Sequence, residues 1–408
     1  YINDFSKDKN YLLGRLEDAK RPLLGPNLYC LQFWGLLLPE RGVKRYFYMF
    51  MHAFVIVFTV TEFIDIWFIK SDIKLVLHNL KITMLATVSV AKITTFLVWQ
   101  ERWKRIMDYV TTADLNQRST DDEKKKKVIG NITKYCRQIT FTYWFLTYTT
   151  GVIVILQPVL KYLLSLTYRE KTRSGSEPYL EVVSSWVPFD KSSAKGYLAA
   201  SFIQALATVY ASGWITSYDT NSIVCMVFFK GELQLLRKDC SDIFGSDVSP
   251  VADEIALERL KDCYRRHVKL MKYFHLLNSC LSPIMLLYMI VCSVMLCVTA
   301  YQITIETNPT QRLLIAEYLV FGVAQLFIYC WHSNDVFYAS QDLLKGPYES
   351  RWWTQNASRR KNLFLFVAQC SQTIVFTAGP FSNLTVATFV HILKGAYSYY
   401  TLLSNSQS

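Results

Sequence analysis

Charge is scarce in this sequence: Asp, Glu, Lys and Arg make up 19% of its 408 residues, where a soluble chain carries about a quarter. Glycine (15) and proline (11) are too few for a collagen or a disordered chain, and ten cysteines are too thinly spread for a small disulfide scaffold. Catalytic spacings are missing as well. The histidines at 52, 78, 267, 275, 332 and 391 form no HExxH pair, and there is no GxSxG elbow, GxxxxGK phosphate loop or CxxC pair. No enzyme, metal centre or cofactor is expected. Apolar and aromatic side chains are abundant instead, with 51% hydrophobic residues, 25 Phe, 26 Tyr and a mean hydropathy of +0.16. That is the composition of a membrane protein. A net charge of +12 would suggest nucleic acid as the partner of a soluble chain, but here the placement of charge outweighs its sum, and no nucleic acid is expected.

A hydrocarbon core of ~30 Å takes about 20 mostly apolar residues per helix. Runs of that kind cover 46–69, 75–99, 139–166, 197–229, 282–305 and 313–335. The stretch 362–403 is too long for one crossing and carries Gly379-Pro380 in its middle. Proline lacks the amide donor and clashes with the preceding turn, so a break is expected there, leaving 382–403 as a seventh span of ~33 Å. No basic, then apolar, then small-residue pattern precedes Arg21, so no signal peptide is expected. Of the 44 lysines and arginines, 32 fall in the amino-terminal segment and the second, fourth and sixth connections. Basic connections stay cytoplasmic, so the amino terminus is expected inside and, after seven spans, the carboxyl terminus outside. The fold class is therefore an all-α membrane protein with seven transmembrane helices.

None of the cysteines lies in the outer connections 70–74, 167–195 and 306–312, which argues for reduced thiols. The sequons at Asn131, Asn356 and Asn383 fall on the inner side, out of reach of glycosylation. Ionisable groups within spans cost several kcal/mol unless they pair or snorkel. Glu62, Asp65 and Lys81 are expected to pair with one another, and Asp219 and Asp335, near inner helix ends, to face water.

Two inner connections are too long to be simple loops. In 230–281, Leu257, Leu260, Tyr264, His267, Met271 and Phe274 recur at helical spacing. From Val336 onward come Leu343, Leu344, Tyr348, Trp352 and Trp353, followed by Arg359, Arg360 and Lys361. Both read as cytosolic helices that pack together or against other subunits, with His267, Tyr348, Trp352 and Trp353 as anchors, or as amphipathic helices on the headgroups. In the last span Thr385, Thr388, Ile392, Gly395, Tyr399, Leu402 and Ser406 step by three and four residues and share one face. Small hydroxyls and glycine on one face suit a pore wall or a helix-packing seam.

The carboxyl-terminal part resembles the insect odorant receptor family. FIYCWHSNDVFYASQDLLKGPYESRWW is similar to that family's exit from the sixth span, through Ser340, Tyr348 and Trp353. GPFSNLTVATFVHILKGAYSYYTLL is similar to its closing segment, including Pro380, Phe389, Lys394, Tyr397, Ser398, Tyr399 and Leu403. HVKLMKYFHLLNSCLSPIML, from His267, resembles the cytosolic helix that enters the fifth span. Amino-terminal to His267 only the topology is shared.

The resemblance implies a ligand-gated, non-selective cation channel in the plasma membrane of olfactory sensory neurons. A variable odorant-binding subunit joins co-receptor subunits in a heterotetramer among membrane lipids, each subunit giving its last helix to a central pore for cations. Two apolar gate positions of the co-receptor fall here on Leu402 and Ser406. The serine departs from that pattern, and with the shorter fourth connection it marks a tuning subunit. The family's odorant sits among the second, third, fourth and sixth spans. By depth, this maps to His78, Ile82 and Leu85; Tyr148, Thr149 and Val152; Phe202, Ile203 and Leu206; and Tyr318 and Phe321. Burying ~200 Å² of apolar ligand yields ~5 kcal/mol at ~25 cal/mol per Å², short of the ~8 kcal/mol of micromolar binding. One or two hydrogen bonds from Tyr148, Thr149, His78 or Tyr318 are expected to contribute. A gustatory receptor channel is the nearest rival, but its TYhhhhhQF ending is not matched. A metabotropic seven-helix receptor needs an outside amino terminus.

Overall fold

The computed structural model describes residues 16–71, 73–176, 178–245, 251–306 and 309–405. A short helix α1 (Gly25–Phe33), opened by Pro26, whose fixed φ suits a first turn, precedes α2 (Val43–Phe68), α3 (Ile73–Val98) and α4 (Gln100–Arg118). Then come α5 (Glu123–Leu164), α6 (Leu166–Arg173), α7 (Ala194–Ser241), α8 (Asp253–Ile305), α9 (Pro309–Asp342) and α10 (Lys345–Glu349). A 3₁₀ turn, α11 (Ala357–Cys370), a small hairpin of β1 (Thr377–Ala378) and β2 (Ser382–Asn383), and α12 (Val386–Asn405) complete the chain. Six helices among the described residues are long and apolar enough to cross a membrane. The seventh expected span is the 20-residue α12, about 30 Å long.

The long helices overrun the spans read from hydropathy. α5, α7 and α8 have 42, 48 and 53 residues, roughly 60–80 Å against a ~30 Å hydrocarbon core. Their charged halves continue the apolar halves without a break. The Asp122 carboxylate caps α5 by accepting from the Lys124 and Lys125 amides, so the run of lysines that follows is helical. Pro158 and Pro283 sit inside α5 and α8. The break expected around Gly379-Pro380 is present as the hairpin. Gly379 has φ +64°, and a Cβ there would come within 2.7 Å of Leu286 Cδ2. The hairpin docks on α8, where the Gly379 amide donates to the Ser282 carbonyl (3.0 Å) and the Thr377 amide to Asn278 Oδ1 (2.9 Å).

The amino-terminal half of α8 buries Ala256, Leu260, Cys263, His267, Leu270, Phe274, Leu277 and Leu281, stepping by four and three residues. Leu257 and Tyr264 of the sequence-read stripe are exposed, because the true stripe is centred on Cys263 and Leu270. Salt bridges tie this end together: Lys230 to Asp335 (2.7 Å), Lys238 to Asp122 (2.5 Å), and Arg266 to both Asp239 and Glu232.

Asp219 overturns its expected contact with water. It lies midway along α7, wholly buried, and accepts from Lys92 Nζ (2.7 Å), the Tyr143 and Tyr329 hydroxyls (2.6 Å each) and Gln325 Nε2 (2.6 Å). The Lys92 ammonium also stands 5.0 Å from the centre of the Tyr288 ring, a favourable cation–π position. This cluster joins α3, α5, α7, α8 and α9. The expected partnership of Glu62, Asp65 and Lys81 is likewise redistributed. Asp65 meets Ser184 (2.5 Å) and Lys191 (3.8 Å) from the connection before α7, and Lys81 donates to Gln302 on α8 (3.0 Å). All ten cysteines are free thiols.

Candidate ligand-binding cavity

Five of the membrane helices leave a cavity of about 100 Å³ between them. Four of them present residues about one turn apart, and α9 presents one. α2 gives Val55, Phe58, Thr59 and Glu62, and α3 gives Ile82, Leu85, Ala86 and Ser89. α5 contributes Thr147, Thr150, Gly151 and Val154; α7 contributes Ala207, Thr208, Ala211, Ser212 and Ile215; α9 contributes Phe321. The space exists because small side chains meet where helices would otherwise fill it. Gly151 faces Ser212 so closely that a Cβ would stand 2.9 Å from its Oγ. Towards one end, Phe58, Val154, Val182, Val183 and Ala207 form a separate apolar cluster, with Ile203 packed against it. Behind Leu85 and Phe321 lies a second void of about 20 Å³, bordered by Tyr288, Cys292 and Gln325. Those two side chains are the partition between the cavities.

Of the sequence-read ligand residues, Ile82, Leu85 and Phe321 line the cavity. Ile203 is next to it, and Leu206 is half-buried outside the lining. Thr149, Val152 and Phe202 are corrected: all three are exposed on the outside of the bundle, Val152 by 53% and Phe202 by 70%. Tyr148 is also turned away, accepting a hydrogen bond from Trp34 Nε1 (3.0 Å). The side chains of His78 and Tyr318 lie outside the described residues. Depth was legible and rotation was not, since two residues along a helix are ~200° around it. On α5 and α7 the large apolar Phe145, Val152, Leu156, Leu198 and Phe202 lie on the outside of the bundle, while small side chains such as Thr150, Gly151, Ala207 and Ala211 line the cavity. The missed residues had a signal, namely Thr147, Thr150 and Gly151 on α5 and Ala207, Thr208, Ala211 and Ser212 on α7, small residues at helical spacing. The contribution of α2 had none.

On α12, Thr385, Thr388, Ile392 and Gly395 are half-buried. The two threonines close the helix start, their hydroxyls 3.1 Å apart and Thr388 donating to the Asn383 carbonyl (2.7 Å). Ile392 packs against the main core, whereas a Cβ on Gly395 would meet open space. The side chains of Tyr399 and Leu402, and Ser406 entirely, lie outside the described residues. Among the anchor residues, His267 is buried edge-on to Phe366 (6.2 Å between ring centres), and Trp352 is half-buried against Phe364 (5.8 Å). Tyr348 and Trp353 are exposed by 75% and 58%. α12 packs on α8 and α9, with Phe389 edge-on to Phe327 of α9 at 5.3 Å.

Residues 72–397 match the family model described as 7tm odorant receptor. The chain belongs to the insect odorant receptor family. Odorant receptor Or2 of Anopheles gambiae is 30% identical over 144 residues, a match that takes in 35% of this chain and 38% of that one. Odorant receptor 30a of Drosophila melanogaster is 19% identical over 392 residues, 96% of this chain and 98% of that one. The solved olfactory receptor OR5 from Machilis hrabei in complex with eugenol superposes with a TM-score of 0.80 at 14% identity, over 95% of this chain and 100% of that one. The fold is thus that of an insect odorant receptor, a multi-pass membrane protein and not an enzyme.

Proposed function

We propose that this odorant receptor is the odorant-binding subunit of a ligand-gated, non-selective cation channel, assembled with co-receptor subunits in the plasma membrane of olfactory neurons. In this reading the amino terminus is cytosolic, the carboxyl terminus is outside, α12 walls the pore and the charged ends of α5, α7 and α8 with α11 form the anchor between subunits. The single observation that carries it is on α9. Phe321 stands in the cavity wall, and Phe327, six residues on, meets Phe389 of α12. One helix therefore touches both the ligand space and the proposed pore helix, and their separation along it is about 9 Å.

A cavity of about 100 Å³ is smaller than the ~150 Å³ apolar hole that accepts benzene, so an odorant has to displace wall side chains. The open state gains only the difference in ligand affinity between the two arrangements. A ligand that pushes Phe321 shifts α9, and α9 carries α12 with it. Whole-cell recording against a panel of volatiles, with and without the co-receptor, tests this. Odorant-evoked current within milliseconds that requires both chains and survives G-protein blockade supports it; a current abolished by the blockade contradicts it.

A further inference from the structure

A wider pocket of about 410 Å³ lies between α7 and α9, at the level where the apolar runs 197–229 and 313–335 end. Lys230 is the first residue past one run and Asp335 the last of the other. With those runs in lipid, the pocket stands at headgroup depth. Its two walls carry opposite charge. Lys230, Arg237 and Lys238 share one face of α7, and Asp335 and Asp342 of α9 stand with Glu349 of α10 across from them. Three cations against three carboxylates leave the lining neutral as a whole. Two bridges cross the opening, Lys230 Nζ to Asp335 Oδ2 (2.7 Å) and Arg237 Nη2 to Glu349 Oε1 (2.8 Å), while Lys238 and Asp342 are drawn off to Asp122 and Lys345. All six side chains stay partly exposed, so each can take a further partner. A line of exposed aromatic side chains leads to this opening from the apolar run. Phe327, Trp331 and Tyr338 lie four and seven residues apart on one face of α9, the last of them in the pocket wall.

We infer that this pocket binds phosphatidylethanolamine, with the lipid phosphate on Lys230 and Arg237, the ammonium among Asp335, Asp342 and Glu349, and an acyl chain along Trp331 and Phe327. The headgroup is neutral overall and divided in charge, as the pocket is, so its entry exchanges the two bridges for new ones and leaves no charge unpaired. The planar Arg237 guanidinium matches phosphate oxygens, and a primary ammonium has three N–H donors for the carboxylates. Phosphatidylcholine has no such donor. A quaternary ammonium is held instead by a cage of aromatic faces, and Tyr338 is the one aromatic residue of this lining among the described residues. Anionic headgroups suit basic pockets, whereas here three carboxylates repel them. Bound in this way, the lipid clasps α7 to α9.

The test follows the melting temperature of the full chain in detergent against the concentration of added lipid. The probes are phosphatidylethanolamine, phosphatidylcholine and phosphatidylglycerol of identical acyl chains, and water-soluble glycerophosphoethanolamine. One hydrogen bond between charged groups corresponds to about a tenfold difference in affinity. Wild type is expected to be half-saturated by phosphatidylethanolamine at about a tenfold lower concentration than by the other three. Arg237→Gln with Glu349→Gln removes one bridge and both of its charges, and Lys230→Gln with Asp335→Asn does the same for the other. Each pair keeps the pocket neutral and, because such partly exposed bridges contribute little to stability, should melt near wild type in detergent alone. Each is expected to bring phosphatidylethanolamine level with phosphatidylcholine. Equal half-saturation of wild type by these two lipids, or a preference for phosphatidylglycerol, overturns the inference. So does a preference for phosphatidylethanolamine that survives both paired variants, which puts the lipid elsewhere on the chain. Half-saturation by glycerophosphoethanolamine at the lipid's own concentration overturns the lipid as the occupant. No odorant enters the measurement, so its outcome is independent of the cavity among α2, α3, α5, α7 and α9.

Discussion

At the scale of single residues, the partition and the buried ion pair make the sharpest predictions. Phe321→Ala opens the main cavity into the void beside Tyr288. The preferred odorant is expected to grow, with a two-ring volatile gaining about tenfold in potency relative to a one-ring volatile, a change of about 1.4 kcal/mol; dose–response curves for the two report it. The same substitution should cost about 3–5 kcal/mol of stability without ligand. Asp219→Asn leaves Lys92 as a buried charge without its counter-ion, and a loss of about 3–5 kcal/mol is expected, measured as a lower melting temperature in detergent. The paired change of Lys92→Met with Asp219→Leu should melt closer to wild type than Asp219→Asn does, because it removes both charges together. Asp219 was visible in the sequence as an intramembrane charge. Its partnership was not, because Lys92 is 127 positions away in the chain and no local pattern links them.

At the scale of elements, the spans and the break before the last helix were readable from hydropathy and from Gly379-Pro380. The continuation of α5, α7 and α8 beyond the membrane was not read from hydropathy, since charge marks where lipid ends and says nothing of where a helix ends. The face each helix turns inward was also hidden. In α5 the wall is Thr147, Thr150 and Gly151 rather than Tyr148, Thr149 and Val152, because the lipid side accepts bulk that a soluble surface would not. Contact between α1 and α7 is equally tight: a Cβ on Gly213 would stand 2.2 Å from Trp34 Cδ2. Gly213→Ala should therefore displace α1 and cost about 1–3 kcal/mol. In the proposed anchor, burial holds the His267 imidazole below its ordinary pKa of 6.5. The unpacked form then binds a proton that the packed form refuses, so packing of α11 on α8 is fully favoured above pH ~6.5 and weakens as pH falls below it. Hydrogen-exchange protection factors across 357–370 should decline between pH 7.5 and 5.5, and His267→Phe should remove that decline.

At the scale of the whole molecule, membership of the family rests on a match across residues 72–397, and the proposed topology rests on the distribution of lysine and arginine. An epitope fused after Ser408 should be reached by antibody on intact cells; labelling only after permeabilisation would reverse the orientation. With that orientation, α9, which touches both the cavity and α12, links the proposed ligand space to the proposed ion path. The most direct test is recording from excised patches carrying this chain and the proposed co-receptor, in the absence of GTP, for wild type and for Ala211→Trp, which fills the cavity. The account predicts a millisecond odorant current from wild type and none from Ala211→Trp at equal surface expression. An odorant current that persists in Ala211→Trp, or that wild type gives only when GTP is supplied, would contradict it.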